Sequence, residues 1–222
     1  MSSWWKKPQS PSSWAGAGMG GVRFGPFGRQ DATDDRLFYA LERKVTHLEE
    51  GAIGVLRAHY ARVLRPGCTV LDLMSSWRSH LPDGLERVAG LGMNAAEMAD
   101  NPQLGEFVVH DLNASPTLPY GESEFDAAVC TVSVQYLIRP VEVFAEVRRV
   151  VRPGGPLVVA FSNRCFPTKA IAAWLSSDAQ GRLNLVCGYL EAAAFDRVEG
   201  RCLDSPDDPL WVVEGWCLEV RS

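Results

Sequence analysis

The sequence predicts an α/β domain on a mostly parallel sheet, finished towards its C-terminus by an antiparallel hairpin. Three observations predict it. Between residues 69 and 162 short apolar runs alternate with helical or polar stretches, as strands joined by crossover helices do. An amphipathic stripe of Val141, Phe144, Val147, Val150 and Val151 is stopped by Arg152-Pro153-Gly154-Gly155, which turns the chain into the next apolar run. Two last apolar runs, 194–203 and 209–218, flank Asp204-Ser205-Pro206-Asp207-Asp208-Pro209, a linker rich in turn residues.

Taken in order, residues 1–30 are dominated by Gly, Ser and Pro, with Trp4, Trp5, Trp14, Phe24 and Phe27 placed without period. They read as a flexible arm. Its basic residues (Lys6, Lys7, Arg23, Arg29), with no acid before Asp31, faintly resemble an organelle transit peptide, but the Pro and Gly content is poor for an amphipathic helix. Residues 31–222 read as one domain. Leu37, Leu41, Val45, Leu48, Ile53, Leu56, Tyr60 and Val63 recur at helical spacing and predict helices near 34–48 and 50–64, with Asp31, Asp34 and Asp35 as N-terminal capping acids. Strands are expected near 69–74, 87–93, 106–112, 125–132 and 156–162, and helices at 167–176 and 179–193.

Composition narrows the function. The chain has 222 residues and a net charge of -5, which argues against a nucleic-acid backbone as the main partner. No apolar run approaches the roughly 20 residues of a membrane span, so a soluble protein is expected. Six cysteines are scattered without a CxxC pair or a zinc-type Cys/His spacing, which suits a reducing compartment, cytoplasm or organellar stroma or matrix.

The chemistry concentrates at strand ends. Val70-Leu71-Asp72-Leu73 runs into Met74-Ser75-Ser76-Trp77, a strand-to-helix turn at the edge where open parallel sheets bind ligands. Val88-Ala89-Gly90-Leu91-Gly92-Met93-Asn94 follows, and Phe107-Val108-Val109-His110-Asp111-Leu112 again ends in an acid. The order VLDL, HDLNASPTLPYGESEFDAAVCTVSVQYL, VFAEVRRVVRPGGPLVVAFSNR, over about residues 65–165, resembles the class I S-adenosylmethionine-dependent methyltransferases of the type 11 group. The resemblance implies a seven-stranded, doubly wound, Rossmann-like sheet and S-adenosylmethionine as cofactor. It also implies that Asp72 orients the first loop towards the methionine portion, and that Asp111 and Leu112 meet the adenine. Met74, Ser75, Ser76, Gly92, Met93, Asn94 and Thr131 complete the expected cofactor site.

Two departures stand out. The family's glycine-rich turn is here the atypical Leu73-Met74-Ser75-Ser76-Trp77-Arg78-Ser79-His80, similar to the first motif of a methyltransferase subgroup of bacteria and photosynthetic organisms. Ser75 and Ser76 are small enough for a close approach, whereas Trp77 either caps the pocket or packs beneath the loop. At the end of the second strand, where the family carries an acid for the ribose, stands Gly92. Asn94 is a weaker substitute, and Glu97 a second one, expected to face solvent.

For the acceptor, the resemblance directs attention to the N-terminal helices and the loops after the fourth and fifth strands, which offer Tyr39, His47, Ser133, Gln135, Tyr136, Asn163 and Arg164. His47 and Tyr136 are the candidates for catalysis. Tyr39, Asn163 and Arg164 are the candidates for binding a small-molecule acceptor, each with a plain packing or ion-pair alternative. His80 and His110 make no metal site, and none is expected. The leading expectation is methyl transfer to a small molecule. The other is a methyltransferase-like assembly factor without catalysis, its aromatic N-terminal arm docking on a protein partner. A nicotinamide oxidoreductase is disfavoured because GxGxxG is absent after the first strand.

Overall fold

The computed structural model describes residues 25–218. Seven strands form one sheet in the order β3-β2-β1-β4-β5-β7-β6. These are β1 (Thr69–Leu73), β2 (Arg87–Gly92), β3 (Glu106–Val109), β4 (Ala127–Thr131), β5 (Pro156–Ser162), β6 (Arg197–Leu203) and β7 (Leu210–Trp216). The pairs β1–β2, β1–β4, β2–β3 and β4–β5 are parallel, and β7 runs antiparallel between β5 and β6. The expected C-terminal hairpin is therefore present. The strand order reverses between β1 and β4, and loops leaving those two strands diverge to opposite sides and open a crevice.

Period-two alternation makes the sheet two-sided. Leu71, Leu73, Ala128, Cys130, Leu157 and Val159 join one core, with helices α4 (Pro140–Val150) and α6 (Ala179–Ala192); Val70, Ala127, Val129, Val158 and Val212 join the other, with α2 (Glu50–Val63). In α4 Pro140 starts the helix, and Phe144, Val147 and Val150 of the predicted stripe are fully buried, together with Val143, while Val141 is half-buried. The turn after it has no room for a side chain at Gly155, where a Cβ would lie 2.3 Å from the Asp126 carbonyl oxygen. Helix α3 (Ala95–Ala99) is short, and α5 (Ala172–Leu175) takes up only the end of the expected 167–176 helix.

The N-terminal region departs from its sequence reading. Only α1 (Asp35–Tyr39) is helical, and residues 40–49, here termed the strap, are irregular. Leu37, Leu41 and Val45, the stripe that predicted a helix to 48, are 72%, 70% and 53% exposed. Residues 25–30, within the segment read as an arm, are docked: Ala172 and Ala173 donate to the carbonyls of Gly28 and Pro26 at 2.8 and 2.9 Å. Residues 1–24 of that segment, with Trp4, Trp5, Trp14 and Phe24, lie outside the described residues.

One ion cluster and one pair of capping bonds hold this region. Lys169, fully buried, lies 3.0 Å from Asp35 and 3.2 Å from Asp31, and Arg29 pairs with Asp35 at 2.7 Å. Asp35 is thus the buried centre of a network, and only Asp34 acts as a cap, accepting from the Arg36 N–H. At the start of α2 the free N–H groups of Glu49 and Gly51 donate to Asp208 and Asp207 of the β6–β7 turn, at 2.7 and 2.9 Å. All six cysteines are free. Among the described residues no helix is long and apolar enough to cross a membrane.

Candidate functional site

The carboxyl ends of β1 to β4 open into one pocket, roofed by α1, the strap and Phe166. At the end of β1, Asp72 is 2% exposed and accepts from the hydroxyls of Ser75 and Ser79, each at 2.6 Å. Burial outweighs these bonds and pushes its carboxyl up to about 6. The loop then turns at Met74, with φ 55°. This left-handed conformation is costly for a residue other than glycine. Val132, after β4, is a β-branched residue at φ 46°, so both loops flanking the crevice hold backbone strain.

Past Met74 the loop folds back across β2. The Ser75 N–H donates to the Leu91 carbonyl at 2.9 Å. Its own carbonyl then sits over Gly92, where a Cβ would lie 2.2 Å from the Ser75 oxygen and 3.0 Å from the Met98 sulfur. Position 92 therefore holds hydrogen and nothing larger. Asn101 fastens the same loop, donating to the Ser76 carbonyl and to the Ser79 hydroxyl, both at 2.8 Å.

The β2–α3 unit supplies two further polar groups. Asn94 caps α3, accepting from the Glu97 N–H at 3.1 Å and donating to the Tyr39 carbonyl at 2.9 Å, so its amide is committed to the protein. Glu97, expected to face solvent, is buried at 8% exposure. One of its oxygens accepts from the Ser76 hydroxyl at 2.6 Å and the other from the Arg43 N–H of the strap. After β3, Asp111 accepts from the N–H groups of Asn113 and Ala114, beside buried Leu112. Asn113 in turn donates to Asp35 and to the Tyr136 carbonyl, joining the ion cluster to the pocket wall. After β4, the Thr131 hydroxyl bonds with that of buried Tyr60 at 2.7 Å.

The roof is aromatic. His47 meets Phe166 edge-on at 5.4 Å, and Tyr136 stacks on Phe166 at 6.0 Å. Arg43 lies over Phe38 at 4.2 Å. Burial lowers the His47 pKa, and burial, with the neighbouring Arg78 charge, lowers His80 to about 4, so both rings are neutral at pH 7. The Tyr136 hydroxyl accepts from the Phe166 N–H at 2.8 Å, and burial pushes its phenol up to about 12. The buried Tyr39 hydroxyl lacks a hydrogen-bond partner. Trp77 lines the pocket half-exposed, and its indole N–H donates to the Val45 carbonyl at 3.0 Å. Of the two readings of Trp77, the structure favours a cap over a core residue.

All the expected cofactor residues line this pocket, with Tyr39, His47, Ser133 and Tyr136. Asn163 and Arg164 do not. Asn163 is exposed, and Arg164 is spent on Asp208 at 2.8 Å and on Glu49. Gln135 is buried and donates to the Val132 carbonyl. Arg43, Asn113 and Phe166 line the pocket without having been singled out in the sequence, since nothing local marks them, and Asp35, expected as a capping acid, lines it too. Among the described residues no group of three or more His, Cys, Asp or Glu could hold a metal ion.

Residues 80–159, from the loop after β1 into β5, match the family model of a methyltransferase domain. Two relatives are named demethylmenaquinone methyltransferase. That of Renibacterium salmoninarum is 31% identical over 146 residues, 62% of this chain and 56% of its own length. That of Beutenbergia cavernae is 32% identical over 139 residues, 60% and 52%. The chain thus spans about half the length of these relatives. The chain shares its fold with the putative methyltransferase crystallised with the Haloferax volcanii Trm112 activator (TM-score 0.58, 16% identity, 76% of this chain and 90% of that one). It also resembles the [4+2]-cyclase SpnF (0.58, 15%, 81% and 87%) and a Mesorhizobium loti S-adenosylmethionine-dependent methyltransferase (0.51, 16%, 73% and 97%). SpnF illustrates that such a fold does not fix one chemistry. The names of the two relatives do not favour the non-catalytic alternative.

Proposed function

We propose that this chain transfers a methyl group from S-adenosylmethionine to a small-molecule acceptor, a hydroxylated aromatic ring being the class the roof suits. The observation that carries this is the single pocket at the strand-order reversal, with carboxylates along its floor and aromatic rings in its roof. The donor set fits the cofactor. Asp72, Glu97 and Asp111 suit a ligand carrying a sulfonium and an ammonium group, and Leu91 and Leu112 offer apolar faces for a purine. Asp111 and Leu112 would hold the adenine, and the loop of Ser75 and Ser76 the methionine portion. Bound there, S-adenosylmethionine supplies an electrophilic methyl group on a positively charged sulfur.

The chain's own contribution is alignment, dryness and proton handling. Phe166, Tyr136 and His47, packed on one another, would offer an aromatic surface for an acceptor ring, and the unpartnered Tyr39 hydroxyl offers a hydrogen bond to a ring oxygen. His47, neutral at pH 7, takes the proton that an acidic acceptor hydroxyl releases. The strap covers these groups from water. The quinone named in the two relatives supports an aromatic acceptor.

Calorimetry with S-adenosylmethionine, followed by transfer of a labelled methyl group to hydroquinone and naphthol probes, tests the reading. Binding in the micromolar range, about -8 kcal/mol, and label in the aromatic product are expected. A folded sample that binds nothing at millimolar cofactor overturns it.

A further inference from the structure

We infer that Glu97 is the acceptor for the paired ribose hydroxyls of the cofactor and, through the Arg43 N–H, couples cofactor binding to closure of the strap. The inference rests on the methyltransferase reading above. The sheet order β3-β2-β1 fixes where the ribose falls. With the adenine held at the end of β3 and the methionine portion at the loop after β1, the sugar between them lies over the end of β2.

What β2 and α3 offer there is limited. Gly92 can carry no side chain, because the Ser75 carbonyl occupies that space. Met93 is apolar. Asn94 has its oxygen committed to the Glu97 N–H and its nitrogen to the Tyr39 carbonyl. Glu97 is the pocket-lining carboxylate of this unit. A carboxylate has about four acceptor positions, and the Ser76 hydroxyl and the Arg43 N–H take up one on each oxygen. One position per oxygen is left, the arrangement that two vicinal hydroxyls require.

The other acids are placed elsewhere. Asp72 is enclosed by Ser75 and Ser79, Asp35 by Arg29 and Lys169, and Asp111 lies beyond β3. Since Glu97 also accepts from the strap, filling its free positions with hydroxyl donors fixes the carboxylate and, with it, the strap.

The test titrates S-adenosylhomocysteine and its 2′-deoxyribose analogue into the full chain, wild type and Glu97→Gln, by calorimetry, and follows amide exchange of residues 40–47 with each ligand at saturation. Wild type should bind the deoxy analogue about ten- to a hundredfold more weakly, the range for a hydrogen bond to a charged group. Glu97→Gln should lose a similar factor for S-adenosylhomocysteine and no longer distinguish the two ligands. Wild-type affinity in Glu97→Gln, or undiminished discrimination, overturns the proposal. If that variant does not fold, the wild-type exchange decides: the Arg43 amide should be protected more by S-adenosylhomocysteine than by the analogue, and equal protection overturns it. Tight and equal binding of both ligands by wild type refutes the role of Glu97 while leaving the methyltransferase reading intact; no binding of either refutes both.

Discussion

The indole N–H of Trp77 donates to the Val45 carbonyl at 3.0 Å, so the loop after β1 directly holds the strap that roofs the pocket. A bulky side chain in the pocket-lining loop thereby fastens the cover over it.

Replacing Trp77 with Phe keeps an aromatic face and removes the donor. The expected cost is about 1 kcal/mol of stability, the size of one net hydrogen bond, with faster amide exchange across residues 40–47 and weaker cofactor binding. Exchange rates equal to wild type would refute the link.

Gly92→Ala should be among the most damaging small substitutions. Its Cβ meets backbone, the Ser75 carbonyl, which cannot rotate away, and overpacking of this kind costs about 1–3 kcal/mol. Chemical denaturation should show that loss, and calorimetry a loss of cofactor affinity. Gly54 in α2, with nothing near its added Cβ, is the control; Gly54→Ala should stabilise the helix by about 0.5–1 kcal/mol.

The buried acid and the half-buried imidazole give opposite pH dependence. Asp72 moves from 3.8 to about 6 on folding, so the folded state binds its proton more tightly and stability declines as pH rises from about 4 to 6. His80 moves from 6.5 to about 4, so its contribution is full above 6.5 and declines as pH falls towards 4. Asp72→Asn should gain stability relative to wild type at pH 8 over pH 4, by at most about 3 kcal/mol; His80→Asn should gain relative to wild type on acidification. Denaturant midpoints between pH 4 and 8 check both, and parallel profiles for all three proteins would contradict the assignments.

Lys169→Met should cost about 3–5 kcal/mol, because it strips a partner from buried Asp35 and from Asp31. Limited proteolysis should then cut within residues 25–40. Arg164→Ala, at a half-exposed ion pair, should cost less than about 1 kcal/mol. A larger loss for Arg164 than for Lys169 would invert this account.

The seven strands and α4 were legible because their signals are local: apolar runs of the right length and the breaker Arg152-Pro153-Gly154-Gly155. The floor of the pocket was legible because it follows from strand ends. The strap was not. Leu37, Leu41 and Val45 keep helical spacing, yet the backbone there is engaged by Glu97, Trp77 and Asn94, partners more than 30 positions away in sequence that no local period reveals. For the same reason Glu97 read as a surface acid of a helix, and Lys169 did not register at all. Gly92 was read as a missing acid; its meaning depends on where the Ser75 carbonyl lies.

The placement of β7 between β5 and β6 orders events during synthesis. β6 emerges from the ribosome first but has no seat in the sheet until residues 210–216 follow and fill the gap beside β5. Until Asp207 and Asp208 emerge, the first turn of α2, made some 150 residues earlier, also lacks its partners. A nascent chain halted before Asp207 would therefore expose the apolar edge of β5 and an uncapped helix together, a species for chaperones to hold.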